Sequence, residues 1–181
     1  MWRLIGRALA EGPVTLPPPP ASPEALVELG GRVAEAARAR LGRSLAIRAV
    51  DAGSCGACEL ELQALCGPTY DIEHYGIRFT ASPRQADVLL VTGPVTANMA
   101  EALRRTHEAM PAPKWVVAVG DCARDGGIFA GGGGLGGGGL GRGGVSAELP
   151  VDLHISGCPA GPARLLAGLL ALLQSAEKPL P

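Results

Sequence analysis

Aromatic residues are nearly missing from this chain: two each of Phe, Trp and Tyr among 181 residues, 3% in all. Large rings cannot then build the core, and aliphatic side chains must fill it; apolar residues at 47% are enough for that. Net charge is missing as well, at −1, which removes the electrostatic case for a nucleic-acid partner. No run of about 18 apolar residues occurs, so no transmembrane helix is expected. No signal-peptide pattern opens the chain either, because Arg3 and Arg7 interrupt the apolar residues of "MWRLIGRALAEG". A cytosolic location follows as the expectation, and structural disulfides are uncommon there. The five cysteines are then metal ligands, catalytic thiols or small buried side chains.

What is present divides the chain in two. Residues 1–21 form an amphipathic start, with Trp2, Leu4, Ile5 and Leu9 on one helical face, followed by the proline-rich arm "PVTLPPPPASP". Residues 22–176 hold one α/β domain. It begins with the helical run "SPEALVELGGRVAEAARARLG", with Ser22 as N-cap and Pro23 at the first helical position. Gly30 and Gly31 weaken its middle and predict a break there. Then strand-like runs recur: "SLAIRAVDAG", a short "YGIRFTA", "ADVLLVTGPV", "KWVVAVGDCA" and "VDLHISGCPA". Helical stretches separate them, notably "TANMAEALRRTHEAM" and "GPARLLAGLLALLQSA". Strands apolar almost throughout are covered on both faces. The expected fold is a flavodoxin-like open parallel sheet with helices on both faces. The glycine-rich loop at 131–144, "GGGGLGGGGLGRGG", lacks the Lys and Ser/Thr of a phosphate-binding loop, and no strand leads into it.

The cysteines fall in a pattern. Cys55 and Cys58 follow the first strand, Cys122 follows "WVVAVGD", and Cys158 follows "VDLHISG". In an open parallel sheet the carboxyl ends of strands share one edge, where sites form. Three strand ends thus deliver four thiols to one place. Three chemistries use such a set. Zinc takes four thiolates, typically from two Cys-x-x-Cys knuckles, but only one close pair exists here. A thioredoxin-like dithiol needs only Cys55 and Cys58, leaving the other two unexplained. A [4Fe–4S] cluster wants one thiolate at each iron corner and suits ligands dispersed over three loops. Ordinary buried thiols are the plain alternative. Cys66, within a helix from about Glu59, is expected to be a small buried hydrophobe.

Taken together, "SCGACELEL", "YDIEHYGIRFTASPRQADVLLVTGPVT", "PKWVVAVGDCA" and "PVDLHISGCP" resemble the small iron–sulfur subunit of membrane-bound [NiFe] hydrogenases of the formate hydrogenlyase type. That family is homologous to the 20 kDa subunit of respiratory complex I. The resemblance runs from about Ser44 to Leu173, with the opening "MWRLIGRALAEGPVT" fitting it too. It implies one [4Fe–4S] cluster on Cys55, Cys58, Cys122 and Cys158, and electron relay to or from a large catalytic subunit. That partner holds nickel and iron in hydrogenases and forms the quinone pocket in complex I. Further iron–sulfur and membrane subunits are implied, with the chain peripheral on the cytoplasmic side of the inner membrane and not catalytic alone. The complex I members of the family carry adjacent cysteines at the first segment, so Cys-x-x-Cys favours the hydrogenase branch. "GCPA" replaces the usual "GCPP", and the glycine tract replaces an ordinary loop.

Among the acids, Glu61 lies one helical turn from Cys58, and the resemblance places it at the family's acidic position beside the cluster, a candidate for coupling a proton to the electron. Glu59 is expected to be exposed, and Asp121 to cap the turn that follows it. His74, His107 and His154 show no ligand spacing; His107 is expected at the surface and His154 in a structural role.

Overall fold

The computed structural model of the chain describes residues 23–129 and 143–175. The amphipathic start, the proline arm, Ser22 and most of the glycine-rich loop lie outside the described residues. Each apolar run forms a strand: β1 (Leu45–Asp51), β2 (Ile77–Phe79), β3 (Val88–Thr92), β4 (Trp115–Val119) and β5 (Leu153–Ile155). All pair in parallel, in the order β2-β1-β3-β4-β5. This is the flavodoxin-like order. The helices are α1 (Pro23–Leu41), α2 (Ala57–Cys66), α3 (Ala97–Ala109), α4 (Asp121–Asp125) and α5 (Pro162–Gln174).

Successive side chains of a strand face opposite sides, and that alternation assembles two cores. Leu45, Ile47, Leu90, Trp115 and Val117 face one side, against Val33 and Ala37 of α1, Leu62 and Leu65 of α2, and the leucines of α5. Val50, Leu89, Val91, Val116 and Ala118 face the other, against Ala100 and Leu103 of α3 and Ala123 of α4. Every residue of β3 and β4 is buried, as a strand covered on both faces requires.

The break expected at Gly30 and Gly31 does not occur, and α1 runs through both. A Cβ on Gly30 would lie 2.7 Å from the Tyr75 ring. The glycine that lowers helix propensity by about 1 kcal/mol is what lets Tyr75 pack onto the helix. At the far end of α1, Arg40 donates from Nη1 to the Ser175 carbonyl at 2.7 Å and lies 5.4 Å from the Trp115 ring centroid. Its charge sits at the carboxyl end of α5, where a cation is favoured.

The amino edge of the sheet is joined by two aspartates. Asp87, buried just ahead of β3, accepts the Ala46 N–H at Oδ2 (2.9 Å), while its own N–H donates to the Ala46 carbonyl (2.8 Å). Arg43 closes a two-bonded pair on the same carboxylate. Ahead of β5, Asp152 repeats the exchange with Val116, at 2.7 Å through its side chain and 2.9 Å through its backbone.

Candidate metal centre

The chain leaves β1 toward β2 on one side, and β3 lies on the other. The crevice beyond the carboxyl ends of such a pair is where open α/β sheets bind. The first cysteine loop lies there. Asp51 Oδ1 accepts the N–H groups of Gly53 and Ser54 at 2.8 and 2.7 Å, an Asx turn that reverses the chain. Ala52 donates its N–H to the Thr92 carbonyl at 3.0 Å and accepts the Thr96 N–H at 2.9 Å. The loop presses on the end of β3 so closely that a Cβ on Gly93 would come within 2.4 Å of Ser54 N. Cys55 is exposed on this loop, and Cys58 is half-buried at the second residue of α2.

The second half of the edge joins β4 and β5. Asp121 donates its N–H to the Gly157 carbonyl at 3.0 Å and accepts the Gly157 N–H at Oδ1, 3.1 Å. This exchange sets the Cys122 segment beside the Cys158 segment. Cys122 is half-buried in α4; Cys158 is exposed past β5. Between them Gly120 has φ +88° and ψ +158°, a conformation essentially reserved for glycine. A Cβ there would lie 2.8 Å from Cys58 Sγ and 3.4 Å from the Gly157 carbonyl. Gly120 is thus the point where the segments of Cys58, Cys122 and Cys158 meet.

The electrostatics agree with that convergence. Burial pushes the Cys58 thiol up; a hydrogen bond from the Ala160 backbone N–H opposes this, and the charges of Glu59, Cys55 and Cys122 add to the rise. Cys55 and Cys122 thus lie near enough for their charge to act on Cys58, and Ala160, two residues past Cys158, reaches its sulfur. Among the described residues, no three His, Cys, Asp or Glu side chains are grouped to hold a single metal ion.

Other expectations change. Cys66 is exposed, not buried, because the last turn of α2 opens on a cleft of about 440 Å³ also lined by Arg48, Phe79 and Thr80. Glu59 is half-buried rather than exposed; it accepts Ser54 Oγ at Oε2, 2.7 Å, and Thr92 Oγ1 at Oε1. Asp121 does not cap its own turn: Gly120 is the N-cap, without a side-chain bond, and the carboxylate goes to Gly157. Glu61 is half-buried, with no hydrogen bond or ion pair among the described residues. His107 is half-buried, and its carbonyl accepts Lys114 Nζ. His154 Nε2 lies 3.3 Å from Ser146 Oγ, a contact between β5 and the turn before it, and His74 packs edge-on against Tyr75. Thr92 was the residue sequence reasoning passed over; its signal is that it closes the otherwise apolar run "VLLVT" with a hydroxyl.

An open parallel sheet that gathers cysteines from three strand ends along its carboxyl edge defines the class of protein. The family described as "NADH ubiquinone oxidoreductase, 20 Kd subunit" matches residues 55–172, and this chain belongs to it. The chain is 36% identical over 138 residues to the "Probable membrane-bound hydrogenase subunit mbhJ" of Pyrococcus furiosus, covering 76% of this chain and 79% of that one. It is 43% identical over 115 residues to an NADH-quinone oxidoreductase subunit of Citrifermentans bemidjiense, covering 64% of each. Among solved structures, a chain of the membrane-bound sulfane sulfur reductase, an archaeal respiratory membrane complex, superposes with a TM-score of 0.63 at 29% identity. That match covers 81% of this chain and 77% of the other. The named relatives are subunits of oxidoreductase complexes. No helix among the described residues is long and apolar enough to cross a membrane.

Proposed function

We propose that this chain is the electron-transfer subunit of a membrane-associated oxidoreductase complex of hydrogenase type, carrying one [4Fe–4S] cluster on Cys55, Cys58, Cys122 and Cys158. The observation that carries the reading is the convergence at Gly120, where a side chain would collide with Cys58 Sγ and touch the carbonyl just before Cys158. The donor set fits the group. It is all thiol, so when deprotonated it calls for a cationic centre. A four-thiolate zinc site typically draws on two Cys-x-x-Cys knuckles, and only one close pair exists here; a cubane suits thiolates dispersed over three loops. The chemistry that such a cluster supplies is one-electron transfer.

The chain's own residues hold and tune. Asp121 and Gly157 keep the Cys122 and Cys158 segments in register. The Ala160 N–H bonds the sulfur of Cys58, the kind of contact that shifts a cluster's reduction potential. Cys55 and Cys158 are exposed along the carboxyl edge. A large catalytic subunit laid on this edge would cover them and exclude water from the site. Glu61, one helical turn past Cys58 and without a partner among the described residues, is the candidate to pass a proton at that interface. The chain is peripheral, held on the cytoplasmic side of the inner membrane by further iron–sulfur and membrane subunits. A complex I-type role with a quinone-site partner is the second reading, favoured by the 43% identity to the NADH-quinone oxidoreductase subunit. The Cys-x-x-Cys spacing favours the first.

Anaerobic purification with counts of iron, zinc and acid-labile sulfide, then EPR of the reduced sample, tests the assignment. About four irons and four sulfides per chain are expected, with a reduced-cluster signal. One zinc and no sulfide overturns it.

A further inference from the structure

Glu59 stands directly beside Cys58 in sequence, yet its carboxylate turns away to two hydroxyls on other elements. Ser54 Oγ, in the loop that carries Cys55, donates to Oε2 at 2.7 Å, and Thr92 Oγ1, at the end of β3, donates to Oε1. Ser54 Oγ in turn accepts the Gly56 N–H at 3.0 Å. Thr92 is 1% exposed, so its hydroxyl belongs to a fixed frame. The remaining bonds of the loop among the described residues are local to Asp51 or run from Ala52 to Thr92 and Thr96. The Gly56 carbonyl accepts the Leu60 N–H at 3.1 Å, which opens α2 but does not tie it to β3. The start of α2 has no side-chain cap of its own, its N-cap being Gly56. One carboxylate therefore joins three things: the first turn of α2, the Cys55 loop and the rigid end of β3.

We infer that Glu59 is a positioning residue, whose carboxylate fixes the Cys55 loop and the Cys58 turn to β3 and so sets the spacing of the first two thiols. Asp121 does the corresponding task for Cys122 and Cys158 through Gly157. Each half of the edge thus has an acid adjacent to a cysteine that serves the loop rather than a proton. The inference rests on the cluster reading for its consequence, but the joint itself is a property of the chain.

The test uses the full chain in its anaerobically purified complex, as wild type, Glu59→Ala, Glu59→Gln and Thr92→Val. Hydrogen exchange of the 51–58 segment is read against the 120–123 segment. Loss of the joint in Glu59→Ala is expected to speed exchange in 51–58 roughly tenfold, the order for losing one charged hydrogen bond, and to leave 120–123 unchanged. Thr92→Val, which keeps the buried shape, is expected to move exchange in the same direction and carries the test if Glu59→Ala does not fold. In the loaded complex both should shift the EPR line shape. Glu59→Gln discriminates the roles: its amide can still bridge the two oxygens once a hydroxyl turns to accept, so near-wild-type exchange and EPR are expected. A Gln variant that behaves as Ala overturns positioning in favour of charge. Unchanged exchange in Glu59→Ala or Thr92→Val overturns the joint. Wild type without iron or sulfide would sink the cluster assignment alone, because the exchange comparison still decides the joint.

Discussion

At the amino edge of the sheet, Asp87 and Asp152 each exchange two hydrogen bonds with a neighbouring strand and hold β1 to β3 and β4 to β5. At the carboxyl edge, Asp121 makes the same kind of exchange with Gly157, and Glu59 bridges two hydroxyls. The chemistry is alike, a carboxylate accepting from a group that would otherwise be buried without a partner, but the surroundings differ. The amino edge is ordinary strand and helix ends. The carboxyl edge carries glycine at φ +88° next to cysteine sulfur. An acid at the amino edge serves stability alone. An acid at the carboxyl edge serves the placement of thiols, and its loss should be read in the site before it is read in the fold.

That contrast is broken most sharply by Asp87→Ala. The buried carboxylate accepts from Ala46 N–H and from Arg43. Arg43 is 54% exposed, so water replaces much of its share, while the Ala46 amide is left bare. A loss of about 3 kcal/mol is expected, seen as a lower urea midpoint, with the iron content of the folded chain unchanged. Gly120→Ala should show the opposite balance. Backbone strain costs about 2 kcal/mol, yet the added methyl meets Cys58 Sγ, so most of the iron per folded chain should be lost. If both variants lose stability and iron in proportion, the two edges are not distinct.

Most of the strands were legible because β1, β3, β4 and β5 are short, largely apolar runs closely followed by glycine, and because parallel strands buried on both faces need no polar alternation. That the four cysteines follow strand ends at one edge was legible from topology, because three parallel strand ends must share an edge. The partners of the acids were not. Asp121 finds Gly157 36 residues on, and Glu59 finds Thr92 33 residues on. Local pattern reads Asp before a turn as its cap and Glu on a helix as solvated, since nothing within one turn says otherwise. Gly30 misled for the same reason, its value lying in Tyr75 and not in its own helix. Cys66 was read from its apolar neighbours, but burial depends on what covers the last turn of α2, and there a cleft opens.

Asp152→Ala refines the amino edge. Its side chain accepts the Val116 N–H at 2.7 Å, as Asp87 accepts that of Ala46, but Asp152 is exposed where Asp87 is buried. Water can therefore take over part of what its carboxylate does. A cost of about 1 kcal/mol is expected, well below that of Asp87→Ala, again read from the urea midpoint. Equal costs would mean that burial adds nothing to the Asp87 site.

The smallest expected effect lies at the fifth cysteine, which belongs to neither edge. Although the residue is exposed, its sulfur lies against α2, near the Leu62 carbonyl at 3.7 Å; the partial desolvation there pushes the Cys66 thiol up, and the charge of Glu73 pushes it further. Alkylation proceeds through the thiolate, so the pH midpoint for alkylating Cys66 should lie above that of an ordinary free thiol. Glu73→Gln removes the lesser cause and leaves the greater one. The midpoint should therefore fall toward the ordinary range without reaching it, and the rate at neutral pH should rise modestly. Cluster content should not change, because Cys66 sits at the opposite end of α2 from Cys58. A midpoint that ignores Glu73→Gln would assign the whole shift to burial. A change in iron content would instead show that the far end of α2 is coupled to the first cysteine loop, and the separation between a placing edge and the rest of the fold would have to be redrawn.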